Sequence, residues 1–389
     1  MKIIGMISGT SFDGIDVACC DIVHEDGVLT AKVEAFESYQ YSDDAYQQIF
    51  TCMPPREITM EQVCKLDTIV GKEFGDAAAR ISEKYHFNPD LIVSHGQTLF
   101  HWIDSNGKAQ GTLQLGEPTW IAQRTGTLTL SNTRARDVAA GGQGAPLVSV
   151  LDQLLLGDSP VPVGALNLGG ISNITIAGGG QTPIAYDCGP ANGLMDAAIS
   201  AHSGGMITYD KDGAVARSGV IDRKILDQLL AHPYYKQAWP KSTGKEIFHL
   251  PYIIEHFGEV QSWNLPDVMA TLLELTAQTV ADDVKRHGIK KLYVAGGGSA
   301  NPFQMERMSA LIAPCELHYM GELGIDPREK EALAFALIGF LTAHGLPGAI
   351  PSCTGAASAE ILGSLTPGKG AISLPQPIAN FPEKLKMVR

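Results

Sequence analysis

Two stretches of this chain combine glycines with hydroxyl and carboxylate side chains at what read as hairpin tips. In the first, an apolar run from Ile3 to Ile7 reaches Gly9-Thr10-Ser11-Phe12-Asp13-Gly14, and a second run from Ile15 to Ile22 carries Asp16 away from it. Glycines let the backbone bend sharply and approach a ligand. Such a tip, with Thr10 and Ser11 adding hydroxyl donors, can point several N–H groups at a phosphate. The lysine-bearing phosphate loop is excluded, because Ile15 follows Gly14 where that loop requires Lys. Taken alone, the segment also reads as a plain tight turn. The second stretch, Gly164 to Ala177, repeats the plan, with Gly169-Gly170 at the tip and Ser172 and Asn173 beside it. Two such hairpins, one near the start of each half, point to two related domains that each present a phosphate-facing loop to one cleft.

Further polar groups fall at predicted element ends. Asp187 follows the strand Ile184-Ala185-Tyr186, and Cys188-Gly189-Pro190-Ala191-Asn192-Gly193 opens a helix from about Leu194 that contains Asp196. A carboxylate there suits catalysis, although Asp is also common in ordinary turns. Ser94-His95-Gly96-Gln97-Thr98 follows a short buried strand, Leu91-Ile92-Val93, at a place where ligands tend to sit in an α/β sheet. His95 reads equally well as a structural histidine. The loop Arg134 to Pro146 holds two arginines, Asp137 and many small residues, so it is either a cleft wall or a flexible crossover. Gly296-Gly297-Gly298-Ser299 follows the strand Leu292 to Ala295; Asn301 replaces the third glycine of a dinucleotide loop, so the run suits a flat adenine or ribose more than that motif.

The elements that must position these groups alternate strand and helix. Three opening strands form an antiparallel meander, the third from about Leu29 to Tyr39. Long helices are expected from Thr59 to Tyr85, where Thr59 and Gln62 form a capping box, from Asp267 to His287, and from Lys330 to His344. Residues 203–245 are turn-rich, and Pro367 to Arg389 should pack back on the first domain. At 389 residues the chain fits about two domains. Its 18% charged and 44% hydrophobic residues exclude disorder. A net charge of -13 argues against nucleic acid and anionic membrane as partners. Seven scattered cysteines without a C-x-x-C pair favour a reducing cytoplasm over disulfide or zinc chemistry. The N-terminus is too short in apolar residues for a signal peptide, and the apolar run Leu333 to Leu341 is too short to span a bilayer.

Together MISGTSFDGID, SHGQT, RARDVAAGGQGAPL, LNLGGISNIT, DCGPANGLMD, VAGGGSANP and EKEALAFA resemble, in order and over essentially the whole chain, the anhydro-N-acetylmuramic acid kinase family of the acetate/sugar kinase, heat-shock cognate and actin superfamily. The resemblance implies a two-domain ribonuclease H-like/actin-like ATPase fold, with mixed sheets flanked by helices and a nucleotide cleft between domains. The expected domains are 1–130 plus about 345–389, and 131–344. It implies ATP and Mg2+ as cofactors, Gly9 through Asp16 as the first phosphate loop with Asp13 and Asp16 near the magnesium-nucleotide, Leu168 to Asn173 as the second, and Gly296 to Ser299 as the adenosine segment. Asp187 matches the catalytic base, with Glu331 as a helper; Ser94, His95, Gln97, Arg134, Asp137 and Glu331 fall at the sugar pocket. Cys188 stands where a small hydroxyl residue was expected. A homodimer rests on the resemblance alone. The implied reaction opens a 1,6-anhydro sugar and phosphorylates its oxygen 6. A conventional sugar or carboxylate kinase and an ATP-switched binding module are the alternatives.

Overall fold

The computed structural model describes residues 1–389 except Thr10, Ser11, Asp13, Pro55, Lys245, Glu246 and Arg389. The chain divides into two compact units, Met1–Leu155 with Gly324–Arg389, and Leu156–Leu323. Residues 131–155 and 324–344, expected in the second domain, belong to the first unit, because the helix Lys330–Ala343 packs on the first unit's sheet.

The first unit is built on β1 (Lys2–Ser8), β2 (Ile15–Glu25), β3 (Val28–Tyr39), β4 (Leu91–Ile103), β5 (Ala109–Leu115) and β6 (Thr129–Ser131). The predicted meander is present: β1, β2 and β3 pair antiparallel, while β4 runs parallel to β1 and β6 parallel to β4. The strand near residue 91 is not short. It continues through Ser94–Thr98 to Ile103 because β5, unforeseen in the sequence, pairs with its extension. Both faces of β1 are covered, which explains its unbroken apolar run. Ile4 and Met6 meet the 26-residue helix Met60–Tyr85 through a cluster containing Leu66, Val70, Phe74 and Ile81 at helical spacing. Thr59 caps that helix with both bonds of the predicted box. Truncating Phe74, wholly buried, would cost about 3–5 kcal/mol. Gly5, between Ile4 and Met6, points to the opposite face. A Cβ there would lie 2.0 Å from the Ala332 carbonyl oxygen, so the helix Lys330–Ala343, apolar all round, lies directly on the strand.

The second unit repeats this order with β7 (Pro162–Leu168), β8 (Ile171–Gly178), β9 (Ile184–Pro190), β10 (Lys291–Ala295) and β11 (Glu316–Tyr319). β7, β8 and β9 are antiparallel, and β10 and β11 are parallel to β7. Its core joins Leu166, Ile174, Ile176 and Tyr186 to Ala277, Val280 and Val284 of the helix Leu265–Arg286. The two sheets share one mixed topology, as two related domains require. The tail closes the first unit: β12 (Ser364–Thr366) pairs with β6 and β13 (Lys384–Met387) with β3, as expected for a segment that packs back. Among the described residues no helix is long and apolar enough to cross a membrane.

Candidate active site

In the first unit the glycine-edged loop leaves β1 at Ser8. The Phe12 N–H donates to the Gly9 carbonyl at 3.1 Å, and the Phe12 ring rests 5.3 Å from that of Tyr46. Thr10, Ser11 and Asp13 lie outside the described residues. Asp16, half-buried, pairs with Ile7 and Ser38 near the start of β2. Gln97 braces the loop from below. Its Oε1 accepts from Ser8 Oγ at 2.6 Å, and its Nε2 donates to the Gly9 carbonyl at 3.1 Å and the Thr98 carbonyl at 3.3 Å. The SHGQT motif thus sits inside a strand, not beyond it. A bulge between the Met6–Ser94 and Ser8–Gln97 pairs contains His95 and Gly96. Gly96 has φ +74°, and a Cβ there would lie 2.4 Å from the Leu115 carbonyl oxygen, so glycine makes the bulge possible. Bulges re-aim side chains beside functional sites.

Here the bulge brings His95 to Arg134. Arg134 Nε donates to His95 Nε2 at 2.8 Å; a guanidinium can only donate, so Nδ1 carries the ring proton and donates to the Gly96 carbonyl at 2.9 Å. Burial, and then the Arg134 charge, hold His95 well below the usual histidine range, so it is neutral. Arg134 Nη1 donates to the Gly144 carbonyl at 2.6 Å. Among the described residues nothing pairs its Nη2. Burial lowers Arg134 to about 10, opposed by the nearby charges of Glu331 and Asp137, and it stays cationic at neutral pH. Asp137 is buried; its Oδ2 accepts from the Gly144 N–H and its Oδ1 from Thr354 Oγ1, both at 2.7 Å. It therefore shapes the glycine loop that seats Arg134. Ser94 Oγ is buried without a partner among the described residues. Glu331 is open to solvent yet densely surrounded by protein, and that crowding raises its carboxyl against the lowering effect of Arg134. Beside it, Lys330 Nζ and Asp152 Oδ1 form a buried ion pair at 2.7 Å that fixes the helix's first turn.

In the second unit the Gly169-Gly170 tip is held to the helix Asn192–His202. Asn192 N–H donates to the Gly169 carbonyl and Gly193 N–H to the Gly170 carbonyl, each at 3.0 Å, and Asn192 Nδ2 donates to the Leu168 carbonyl at 3.2 Å. That helix begins at Asn192, two residues earlier than the sequence indicated, and β9 runs on through Pro190. Asp187 is accordingly within the strand, because β8 pairs with it: Asn167, Asn173 and Asp187 align across β7, β8 and β9. Aligned residues share a face, so three half-buried polar side chains form one row. Asn167 was missed; its place in LNLGG, one residue before the tip, was the available signal.

The segment 234–243 holds Asp187 from the side, through two backbone groups and one side chain. Asp187 N–H donates to the Lys241 carbonyl at 3.0 Å, Tyr234 OH to the Asp187 carbonyl at 2.6 Å, and Thr243 N–H to Asp187 Oδ2 at 2.9 Å. Tyr234, Lys241 and Thr243 carried no motif in the sequence. Cys188, on the opposite face of β9, is buried with its thiol bonded to Asp283; burial, then the Asp283 charge, push it well above its usual range, so it stays protonated. Gly296 and Gly298 serve close packing: a Cβ on Gly298 would come within 2.8 Å of Leu168 Cβ and 2.9 Å of Asn192 Oδ1. Ser299 Oγ donates to the Gly296 carbonyl at 2.7 Å. Gly297 is less crowded: a Cβ there would make only ordinary contact, with Asn192 Nδ2 at 3.9 Å. The Gly296–Ser299 segment and the second glycine tip are therefore one packed substructure, joined through Leu168 and Asn192.

Residues 1–368 match the family model described as anhydro-N-acetylmuramic acid kinase. Relatives named anhydro-N-acetylmuramic acid kinase are similar along their whole length. The one from Streptomyces coelicolor is 46% identical over 389 residues, covering 100% of this chain and 99% of the relative. That from Rhodococcus erythropolis is 45% identical over 395 residues, again covering 100% and 99%. That from Streptomyces avermitilis is 43% identical over 376 residues, covering 96% and 97%. A family match of that extent, over a chain whose two sheets each carry a glycine-edged tip, shows that this protein belongs to the anhydro-N-acetylmuramic acid kinase family.

Proposed function

We propose that this protein uses ATP to open 1,6-anhydro-N-acetylmuramic acid hydrolytically and phosphorylate its oxygen 6, giving N-acetylmuramic acid 6-phosphate and ADP during peptidoglycan recycling in the cytoplasm. The observation that carries the mechanism is the row of Asn167, Asn173 and Asp187, with one Asp187 carboxylate oxygen occupied by the Thr243 N–H. A carboxylate held by its backbone and one oxygen presents a fixed acceptor, as a general base requires.

The bicyclic substrate has no free hydroxyl at carbon 6, so a simple transfer has no acceptor. Asp187 takes a proton from water as the water oxygen bonds to the anomeric carbon. The bond from that carbon to oxygen 6 breaks, and oxygen 6 takes the γ-phosphoryl group, whose bond to the ADP oxygen breaks. The leaving oxygen then needs no separate acid. Glu331 is proposed to help hold the attacking water. Arg134, with Nη1 and Nε engaged and Nη2 unpaired among the described residues, is suited to the lactyl carboxylate. His95 and Asp137 set the angle of that guanidinium, Gln97 supports the first phosphate loop, and Ser94 is proposed to offer the sugar its buried hydroxyl, unpartnered among the described residues.

The residues fit a nucleotide. Gly170 and Gly297 have no neighbour nearer than 3.9 Å to an added Cβ, leaving backbone open to phosphate and adenosine. Among the described residues no cluster of His, Cys, Asp and Glu could hold a metal ion by itself. Magnesium is proposed to come with the nucleotide phosphates, with Asp13 and Asp16 of the first loop as the carboxylates that would lie near it. When bound it neutralises charge on the transferring phosphoryl group. A homodimer remains part of the proposal through the family alone, checked by sedimentation.

Asp187→Asn tests the mechanism: nucleotide binding should persist while phosphorylated product falls by about 10²–10⁴. Near-normal turnover would remove Asp187 from the base role. Turnover of free N-acetylmuramic acid in place of the anhydro sugar would indicate a conventional kinase.

A further inference from the structure

We infer that the buried ion pair between Lys330 and Asp152 is a brace for the sugar site, a positioning device that sets where Glu331 stands relative to Arg134. The inference rests on the reading of Glu331 and Arg134 as sugar-pocket groups. Both side chains of the pair are almost fully enclosed, Lys330 at 7% and Asp152 at 4% exposure, with Nζ 2.7 Å from Oδ1. Asp152 Oδ1 has no aligned hydrogen-bond donor among the described residues, so the charge of Lys330 is what offsets its burial. An apolar pair of the same volume would hold a core at least as firmly, because two charges must be stripped of water to meet there. What the ion pair adds is position. Apolar surfaces slide over one another at small cost, since their attraction has no direction, whereas attraction between buried charges weakens with every ångström of separation.

The two residues sit on the elements that carry the two pocket groups. Lys330 opens the helix Lys330–Ala343, and Glu331 is the next residue. That helix starts without a side-chain cap, so its first turn depends on the ion pair for its place. Asp152 lies on the helix Ser149–Leu156, whose first residue donates from Oγ to the Pro146 carbonyl at 2.7 Å. Two residues before Pro146, the Gly144 carbonyl accepts from Arg134 Nη1 at 2.6 Å. One short path therefore runs from Glu331 through Lys330, Asp152, Ser149 and Gly144 to the guanidinium. A second path closes the circuit. Arg134 Nε donates to His95 Nε2 at 2.8 Å, and the His95 ring lies 4.8 Å from that of Phe335, one helical turn beyond Glu331. Glu331 is thus held between two fixed points, the ion pair before it and the ring contact after it.

Without the pair, Phe335 remains as a pivot and the turn that carries Glu331 is free to shift. Every residue of the circuit belongs to the first unit, whereas the Gly169-Gly170 tip and the Gly296–Ser299 segment belong to the second. Loss of the brace therefore alters the sugar site and leaves those two nucleotide segments as they are. Arg134 and Glu331 act on one small bicyclic molecule, so their separation decides how it sits, and a misplacement of about 1 Å can cost about 10²-fold in rate.

The test uses full-length proteins with ATP and the anhydro sugar. In Asp152→Leu/Lys330→Met an apolar pair replaces the charges. Its urea midpoint should equal or exceed that of wild type and its KM for ATP should stay within about twofold, while kcat/KM for the sugar falls about tenfold or more. Arg134→Lys should lower sugar kcat/KM strongly in the wild-type background and far less in the apolar-pair background, because residues that act through one another are not additive. Additive effects would mean a pair that serves the fold alone, and they overturn the brace. If the apolar pair folds poorly, Asp152→Asn/Lys330→Gln, whose amide is one bond too short to reach across, must still lower sugar kcat/KM with the ATP KM kept. Wild-type sugar kinetics in either folded double variant, with Arg134→Lys impaired, overturns the brace and leaves the pocket reading intact. Unchanged sugar kinetics in Arg134→Lys and Glu331→Gln overturns the pocket reading, and the brace with it.

Discussion

His95 gives a pH dependence whose sign and size follow from the structure. The ring is buried, its Nε2 accepts from Arg134 and its Nδ1 donates to Gly96, so a second proton has no acceptor and meets a guanidinium. Its folded-state pKa lies well below the unfolded value of 6.5. The unfolded chain therefore binds a proton that the folded one refuses, and stability is full above pH 6.5 and falls as pH drops below it. One proton changes stability by about 1.36 kcal/mol per pH unit, so this group alone costs about 2 kcal/mol at pH 5. Other histidines with lowered values, His101 and His287 among them, add to the slope, so the difference between proteins is what counts. His95→Gln keeps an oxygen acceptor for Arg134 and does not titrate. Urea unfolding at pH 8 and pH 5, followed by fluorescence and circular dichroism, should show wild type losing about 2 kcal/mol more than the variant between the two. Parallel losses in both proteins would mean that His95 accepts its second proton in the folded state, and the Arg134 to His95 hydrogen bond would have to be abandoned.

Other variants probe other parts of the fold and site. Gly5→Ala places a methyl 2.0 Å from the Ala332 carbonyl oxygen and 2.7 Å from the Ala336 nitrogen, so it should cost about 3 kcal/mol in thermal or denaturant unfolding; an unchanged transition would mean the helix is not seated on β1. Asp137→Ala removes two hydrogen bonds to a buried carboxylate, worth about 3 kcal/mol together, and should raise KM for the sugar more than KM for ATP in steady-state kinetics. Gly298→Ala forces Leu168 and Asn192 apart and should weaken ATP binding about tenfold by calorimetry, with the sugar KM unchanged.

What the sequence determined by itself was whatever depends on neighbours along the chain. The antiparallel meander, the capped helix Met60–Tyr85 and the two glycine-edged tips follow from apolar period, capping residues and turn chemistry, all local properties. The joint order of the motifs was enough for the family. Tertiary structure alone decided which strand ends were real. SHGQT and Asp187 looked like loop residues, because a polar run after three apolar residues reads as a strand end; cross-strand pairing with β5 and β8, the neighbouring strands of each hairpin, carries both strands onward. The same holds for the site's supports. Thr354 meets Asp137 across 217 positions and Thr243 meets Asp187 across 56, separations at which no periodicity links the residues. Asn167, Asn173 and Asp187 become one row only through strand register, which is fixed by burial of the opposite face.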